Sequence, residues 1–339
     1  KVIVISSALA LSSCDQLHKD IENYYSELTW LILKEKVKEK KYFIDYDYGL
    51  ESSFFVSKQS NSTSSKISLL KFLSLKGCHL RYVVARKNSI LGKVSPSSQK
   101  LKYEADFIHY APDCIIFLKN NNEFELSEEL TYLLEQKKRH LSKYIWQAVL
   151  GSSESKIFWQ INNLSILSDY KKISGVKESL NKLNDSIDRL LNGDYQFDID
   201  DFENNLGVLR KNIGGDLYRD IVITKIYLSK LNRIFINQNH IKKQFCFGPG
   251  SSEIFEELKQ FVFRAWESEL KIKTDELKKS YFEIIRLFQN IELKIVDAEP
   301  IEYANWRLNR DNSFEIGLSE IEKHSQQISQ IKDICSLEV

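Results

Sequence analysis

The strongest constraint on this chain is the spacing of its apolar residues, which recur at every third or fourth position over long stretches nearly free of helix breakers. Over residues 15–38, Leu17, Ile21, Tyr24, Leu28, Leu31 and Ile32 follow that spacing with charges between them. This is the pattern of a helix with one buried stripe. Only 12 glycines and 4 prolines occur in 339 residues, which disfavours a turn-rich sandwich. Further helices are expected over residues 67–90, 126–150, 153–168, 173–192, 200–213, 216–238, 252–297 (with a break inside it) and 314–334. Ser95–Ser98 reads as a cap before the helix of Leu101, Ala105 and Ile108, and Pro112 as that helix's end, since the residue before proline avoids helical backbone. Loops are expected at Asn192–Gly193, Gly214–Gly215, Phe247–Gly250 and Ala298–Pro300. Residues 42–65 lose the periodicity. Their polar end, Ser57–Ser65, reads as an exposed loop, and residues 42–56 offer room for a short hairpin. The expected architecture is all-α, a multi-helix bundle of about nine or ten helices. It forms one body over residues 14–339, with lobes 14–170 and 171–339 as a finer division.

The N-terminus carries a different signal. Lys1 is followed by apolar and small residues up to Leu11, with no acidic group before Asp15. That segment is too short to cross a hydrocarbon core, which needs about 20 helical residues. It ends in Leu11, Ser12, Ser13 and Cys14, a run that resembles the lipobox of bacterial lipoproteins. The resemblance implies a signal peptide over residues 1–13, acylation of the Cys14 thiol and cleavage before it. Two or more acyl chains hold a soluble body on a membrane stably. The expected location is therefore the periplasmic side of the bacterial cell envelope, and Asp15 resembles the signal that keeps some lipoproteins in the inner membrane. A buried strand ending in an ordinary cysteine is the plainer alternative.

Charge names no partner. The chain has 48 basic and 47 acidic residues, so no net field would draw in nucleic acid. A lipid anchor and an envelope protein are the expected partners. With Cys14 acylated, Cys78, Cys114, Cys246 and Cys335 remain, and four cysteines in an oxidising compartment allow three pairings. Cys78–Cys114 is the bridge expected first, because their two neighbouring helical segments can pack antiparallel. On a chain-entropy account it contributes about 4 kcal/mol. The sequence has no CxxC or HxxxH pair, so no metal site is expected.

No pattern for a serine hydrolase, zincin, phosphate loop or dinucleotide fold occurs, and no catalytic residue or cofactor is assigned. The run Gly248–Glu253 lacks the lysine of a phosphate loop and reads as a turn with a serine cap. Glu104, His109 and Asp113 lie close together, and a histidine beside a carboxylate can act as a general base. A surface ion pair is the simpler account. Arg81, Arg86, Lys87 and Asn88 with Tyr82 make a small anion-binding surface or a solvated helix face. Together these give a tentative polar site of Arg86, Asn88, Glu104 and His109. Trp146 and Trp159 read as core, and Trp306 as core or as the cap of a groove between helices.

The segments LLKFLSLKGCHLRYVVARKNSILGKV, SSQKLKYEADFIHYAPDCI, IWQAVLGSSE and CFGPG follow one another in this order. The chain thereby resembles the bacterial lipoproteins of the domain-of-unknown-function 3080 family, over most of its length and most densely over residues 67–155. The resemblance makes Cys78, Cys114, Arg86, Asn88, Leu91, Gly92, Tyr103, Glu104, Ala111 and Pro112 family-like positions, and it implies no activity. The expected function is that of a membrane-anchored, non-catalytic helical binding or scaffolding protein. The alternative is an enzyme or ligand carrier acting on an envelope substrate near Arg86, Glu104 and His109. Cys14→Ser is expected to release the protein from membranes or to leave the precursor uncut, as read by fractionation and acyl labelling. A processed, acylated Cys14→Ser protein would refute the anchor.

Overall fold

A computed structural model describes residues 16–33, 75–161, 170–236, 246 and 251–332, and among these residues there is no strand. In chain order the helices are α1 (Gln16–Leu33), α2 (Leu80–Asn88), α3 (Ile90–Val94), α4 (Ser97–Asn120), α5 (Phe124–Arg139), α6 (Leu141–Ala148), α7 (Ser153–Phe158), α8 (Tyr170–Leu191), α9 (Ile199–Val208) and α10 (Ile213–Phe235). The unbroken run α11 (residues 251–294) and α12 (Ile301–Lys332) complete the helices of the described residues. The chain is an all-α multi-helix protein, as its periodicity predicts. The N-terminal leader with Cys14, the loop and hairpin expected over 42–65, Phe247–Gly250 and Cys335 lie outside the described residues.

α10 is the axis of the body. Every residue from Ile213 to Thr224 is buried, so this helix is covered on all sides, by α1, α7, α11 and α12 among others. Gly214 and Gly215 explain how neighbours come so close. A Cβ on Gly215 would lie 2.2 Å from the Gln160 carbonyl oxygen, and one on Gly214 would lie 2.3 Å from the Phe158 ring. The glycine pair therefore sits inside the first turn of the helix, after Asn212 in left-handed conformation, φ 56°, and not in a loop before it. Leu217, Ile221, Leu228 and Leu231 have no exposure at all, and truncating one such residue to alanine costs about 2–5 kcal/mol. One continuous buried cluster joins Leu17 of α1 to Ile328 of α12.

Five other expectations are corrected. Residues 67–90 do not form one helix through Gly77. Leu75–Gly77 is a turn, with Gly77 at φ +116°, a backbone region that a side chain resists. Pro112 does not end α4, which continues to Asn120. Pro112 is exposed, so its ring sits on the solvent side of α4 and the helix continues past it. Residues 126–150 divide at His140 into α5 and α6. The break expected within 252–297 is absent as well. The run α11 stays helical and takes up its irregularity in π turns at Phe263–Leu270 and Tyr281–Ile285. α12 begins directly after Pro300, well before residue 314, because proline is favoured at helix starts.

Buried polar groups fix how α1, α10, α11 and α12 meet. Arg310 has no exposed side-chain surface. It donates to both oxygens of Glu292 at 2.7 Å and to Asp311 at 2.6 and 2.9 Å, and Tyr303 donates to Glu292 at 2.6 Å. Its guanidinium lies 4.5 Å from the Trp159 ring centre and 4.8 Å from that of Trp306. Burial opposes this charge, yet the carboxylate beside it overcomes that cost and holds Arg310 firmly protonated. Trp306 is thus a core residue stacked on an arginine.

A second network joins α1 to α10 and α12. The Tyr24 hydroxyl donates to His324 Nε2 at 2.9 Å, and His324 Nδ1 donates to the Asn232 side-chain oxygen at 2.8 Å. The tautomer follows from Asn232, whose amide nitrogen is already committed to Glu320 at 2.6 Å. Trp266 closes the site, its ring centre 4.4 Å from that of His324. Burial lowers the His324 pKa from 6.5 to about 3, so the ring is neutral in the folded protein.

That depressed pKa sets the sign of a pH effect. The unfolded chain takes up a proton near 6.5 that folded His324 refuses, so the stabilisation is complete above that pH and is lost on acidification. The expected slope is about 1.4 kcal/mol per pH unit. Urea unfolding compared at about pH 7 and about pH 5 checks it, with His324→Gln expected to flatten the decline. Equal slopes in the two proteins would show that His324 is not the titrating group.

Candidate functional site

The residues of the expected polar site lie along α2 and α4, which pack antiparallel. Cys78 and Cys114 form a disulfide with Cα atoms 5.2 Å apart, clamping the start of α2 to the second half of α4. At the other end of the pair, Glu104 is buried, 4% exposed. It accepts short hydrogen bonds from Lys87 of α2 and Lys137 of α5. Burial pushes the Glu104 carboxyl up, but the two ammonium groups outweigh it and the pKa is lowered. Burial lowers the Lys137 pKa as well, with Lys87 adding repulsion. Two cations share one carboxylate here.

Arg86 does not reach Glu104. Its side chain is largely exposed and comes within 4.0 Å of Asp106, which Lys102 also holds at 2.7 Å. Asn88 is exposed at the end of α2. His109 faces Gln196 at 2.8 Å and stacks edge-on with Tyr110. α4 therefore turns Glu104 and His109 to different neighbours, and the four residues do not converge on one cavity. Helix continuity places Asp113 one turn after His109, but Asp113 is exposed.

Sequence reasoning passed over Lys137 and Asp106. The signal was available for both ends of the ion cluster. Glu104 falls on the stripe of Leu101, Ile108 and Ala111, and Lys137 on that of Leu130 and Leu134. A charge on a buried stripe needs a counter-charge, and the two helices answer each other.

A shallow cleft of about 310 Å³ opens beside the cluster, lined by Lys102, Asp106 and Tyr110 of α4 and by Arg189, Gln196 and Asp198 among others. Its charges are already spent on the protein. Lys102 donates to Asp106, Arg189 donates to Asp194 at 2.7 Å, and Asp198 caps α9 by accepting from Asp200 and Asp201 N–H groups. Among the described residues no group of three or more His, Cys, Asp or Glu could hold a metal, and no helix is long and apolar enough to cross a membrane.

The fold and its polar clusters define a disulfide-clamped helical body whose interior charges serve packing. Residues 57–315 match the model of the family described as Protein of unknown function (DUF3080), and the chain belongs to that family. No curated protein and no solved structure matches it.

Glu104→Gln removes the only anion that Lys87 and Lys137 are shown to share. Breaking such a buried pair is expected to cost about 3–5 kcal/mol at neutral pH. The Glu104 pKa is lowered, so its contribution is present above the ordinary carboxylate range and disappears as pH falls through the folded value. Denaturant unfolding of both proteins along a pH series should show the gap closing in acid. A constant gap would contradict the ion-pair account.

Proposed function

We propose that this chain is a membrane-held protein of the bacterial envelope that acts by binding, as a non-catalytic helical scaffold. The observation that carries this reading is the use of its polar side chains. Glu104 is neutralised by two lysines, Arg310 is enclosed by Glu292 and two indoles, and His324 is buried and neutral. An acid or base must instead reach a substrate proton and change protonation state near the working pH. The Cys78–Cys114 bridge, with Cys246 also disulfide-bonded, suits an oxidising compartment, since such bonds persist outside the cytosol. Signal peptide and acylated Cys14 supply the route there and the attachment.

The second reading, an enzyme or ligand carrier, finds its best footing in the cleft beside His109. The two readings separate in a deletion strain. Under the scaffold reading, His109→Ala and Asp106→Asn, produced at normal levels, restore the lost phenotype fully. Failure of both variants despite normal abundance and membrane association would favour chemistry or ligand capture at the cleft.

A further inference from the structure

The turn between α2 and α4 exposes apolar side chains in a way the rest of the surface does not. Ile90, Leu91 and Val94 on α3 are 82%, 79% and 76% exposed, the three highest values among the large apolar residues described. Water gains nothing from such side chains, and their support is rigid. Ser89 Oγ accepts from Gly92 N–H at 3.0 Å and donates to the Arg86 carbonyl at 2.7 Å. Ser95 Oγ donates to the Gly92 carbonyl at 2.8 Å. Gly92 itself packs so closely that a Cβ would lie 2.2 Å from the Arg86 carbonyl oxygen. The backbone is folded back on α2 and held there, with Ile90, Leu91 and Val94 projecting outward.

The segment that carries this tip has charge of one sign. From Ser52 to Tyr103 the sequence contains ten lysines and arginines and no acidic residue, although the whole chain is nearly neutral, and the carboxylates near the turn come from elsewhere: Asp106, which Lys102 holds, and Glu203, which accepts from Ser98. Arg86 and Lys93 flank the tip and are exposed, and Tyr82 is exposed further back along α2. A protein partner typically meets an apolar centre with a rim of both signs. A phospholipid surface takes apolar side chains below its headgroups, with lysine and arginine at the phosphates and tyrosine at the boundary. Among the other exposed apolar groups, Leu293, Val296 and Ile301 at the α11–α12 turn are bordered by the exposed carboxylates Asp297 and Glu302, which an anionic surface would repel.

We infer that the α3 turn is a membrane-docking element: Ile90, Leu91 and Val94 seat at the headgroup–acyl boundary of an anionic phospholipid bilayer, with Arg86 and Lys93 against its phosphates. This gives the envelope protein a second membrane contact, which orients the helical body on the surface. It rests on the envelope reading only for the presence of a membrane. Acylation of Cys14 takes no part in it.

The test uses the body from Asp15 onward, without the leader and without an acyl chain, so that any membrane affinity belongs to the body, in sedimentation with phosphatidylglycerol–phosphatidylethanolamine vesicles and with neutral phosphatidylcholine vesicles. Binding is expected to the anionic vesicles only, and to fall at high salt. The pair Ile90→Ser and Leu91→Ser should weaken it by about tenfold or more and Lys93→Gln by roughly fivefold. Ile301→Ser should leave it unchanged. Unaltered thermal melting of each variant shows that the fold is intact, as the exposure of these side chains leads one to expect. Equal binding to both vesicle types, or full binding by the Ile90 and Leu91 variant, overturns the inference. So does a protein dimer that this variant dissolves in the absence of vesicles, which would make a second copy of the chain the occupant. An unacylated Cys14 in cells would defeat the anchor alone.

Discussion

Arg310 carries a full positive charge at a point closed to solvent, and what surrounds it dictates how three parts of the chain can meet. Glu292 comes from α11, Tyr303 and Trp306 from the first turns of α12, and Trp159 from the end of α7. Desolvating an arginine and a glutamate is expensive, and a well-packed apolar substitute is often no less stable than a buried pair. The effect of the cluster is therefore on geometry. A bidentate guanidinium tolerates one register, so α12 must leave the α11–α12 turn with Arg310 level with Glu292. Apolar packing alone would let α12 slide by a turn at modest cost. With this cluster in place, a slide of one turn would strand both charges.

The second buried network depends on that register. α12 brings His324 level with Tyr24 of α1 and Asn232 of α10 only if its register is fixed at Arg310, about four helical turns earlier at about 3.6 residues per turn. α1 is held by the same geometry, through Tyr24 and through His18, which bonds to buried Asp220 at 3.0 Å. The central groups of both networks are paired: each Glu292 oxygen accepts from Arg310 and both His324 ring nitrogens are hydrogen-bonded, and such pairing of buried groups rigidifies a core. These same groups have spent their lone pairs on the protein, whereas a group that accepts a substrate proton needs one to spare.

How much of this was legible in the sequence follows from the range of each interaction. Helix identity is local: Leu17, Ile21, Tyr24 and Leu28 announce α1 by spacing alone, and the Cys78–Cys114 bridge followed from two neighbouring segments. Breakers were misread where tertiary packing decides. Gly214–Gly215 resembles a loop until Phe158 and the Gln160 carbonyl are found against it, and Pro112 resembles a stop until its ring is found on the solvent side. Gly77 erred in the opposite direction, since a lone glycine is tolerated in a helix unless its φ is positive. The ion clusters were the least legible part. Glu104 and Lys137 are 33 residues apart, His18 and Asp220 are 202 apart, and only a charge placed on an apolar stripe hinted at either. The polar site assembled from Arg86, Asn88, Glu104 and His109 grouped residues that are near in sequence and face different neighbours around α4.

The two ends of the α2–α4 pair are treated differently by the fold, and this gives the α3 turn its character. At Cys78–Cys114 a covalent bond fixes α2 on α4. At the far end Lys87 reaches inward to Glu104, while Arg86, its neighbour in sequence, remains largely exposed beside Asp106. One cation is thus consumed in holding the hairpin together and the next is presented outside. Between these two fixed points α2 cannot shift, so the Ser89 and Ser95 caps turn the chain at a set place and angle. The exposed Ile90, Leu91 and Val94 consequently share the rigidity of the core, although they contribute nothing to it.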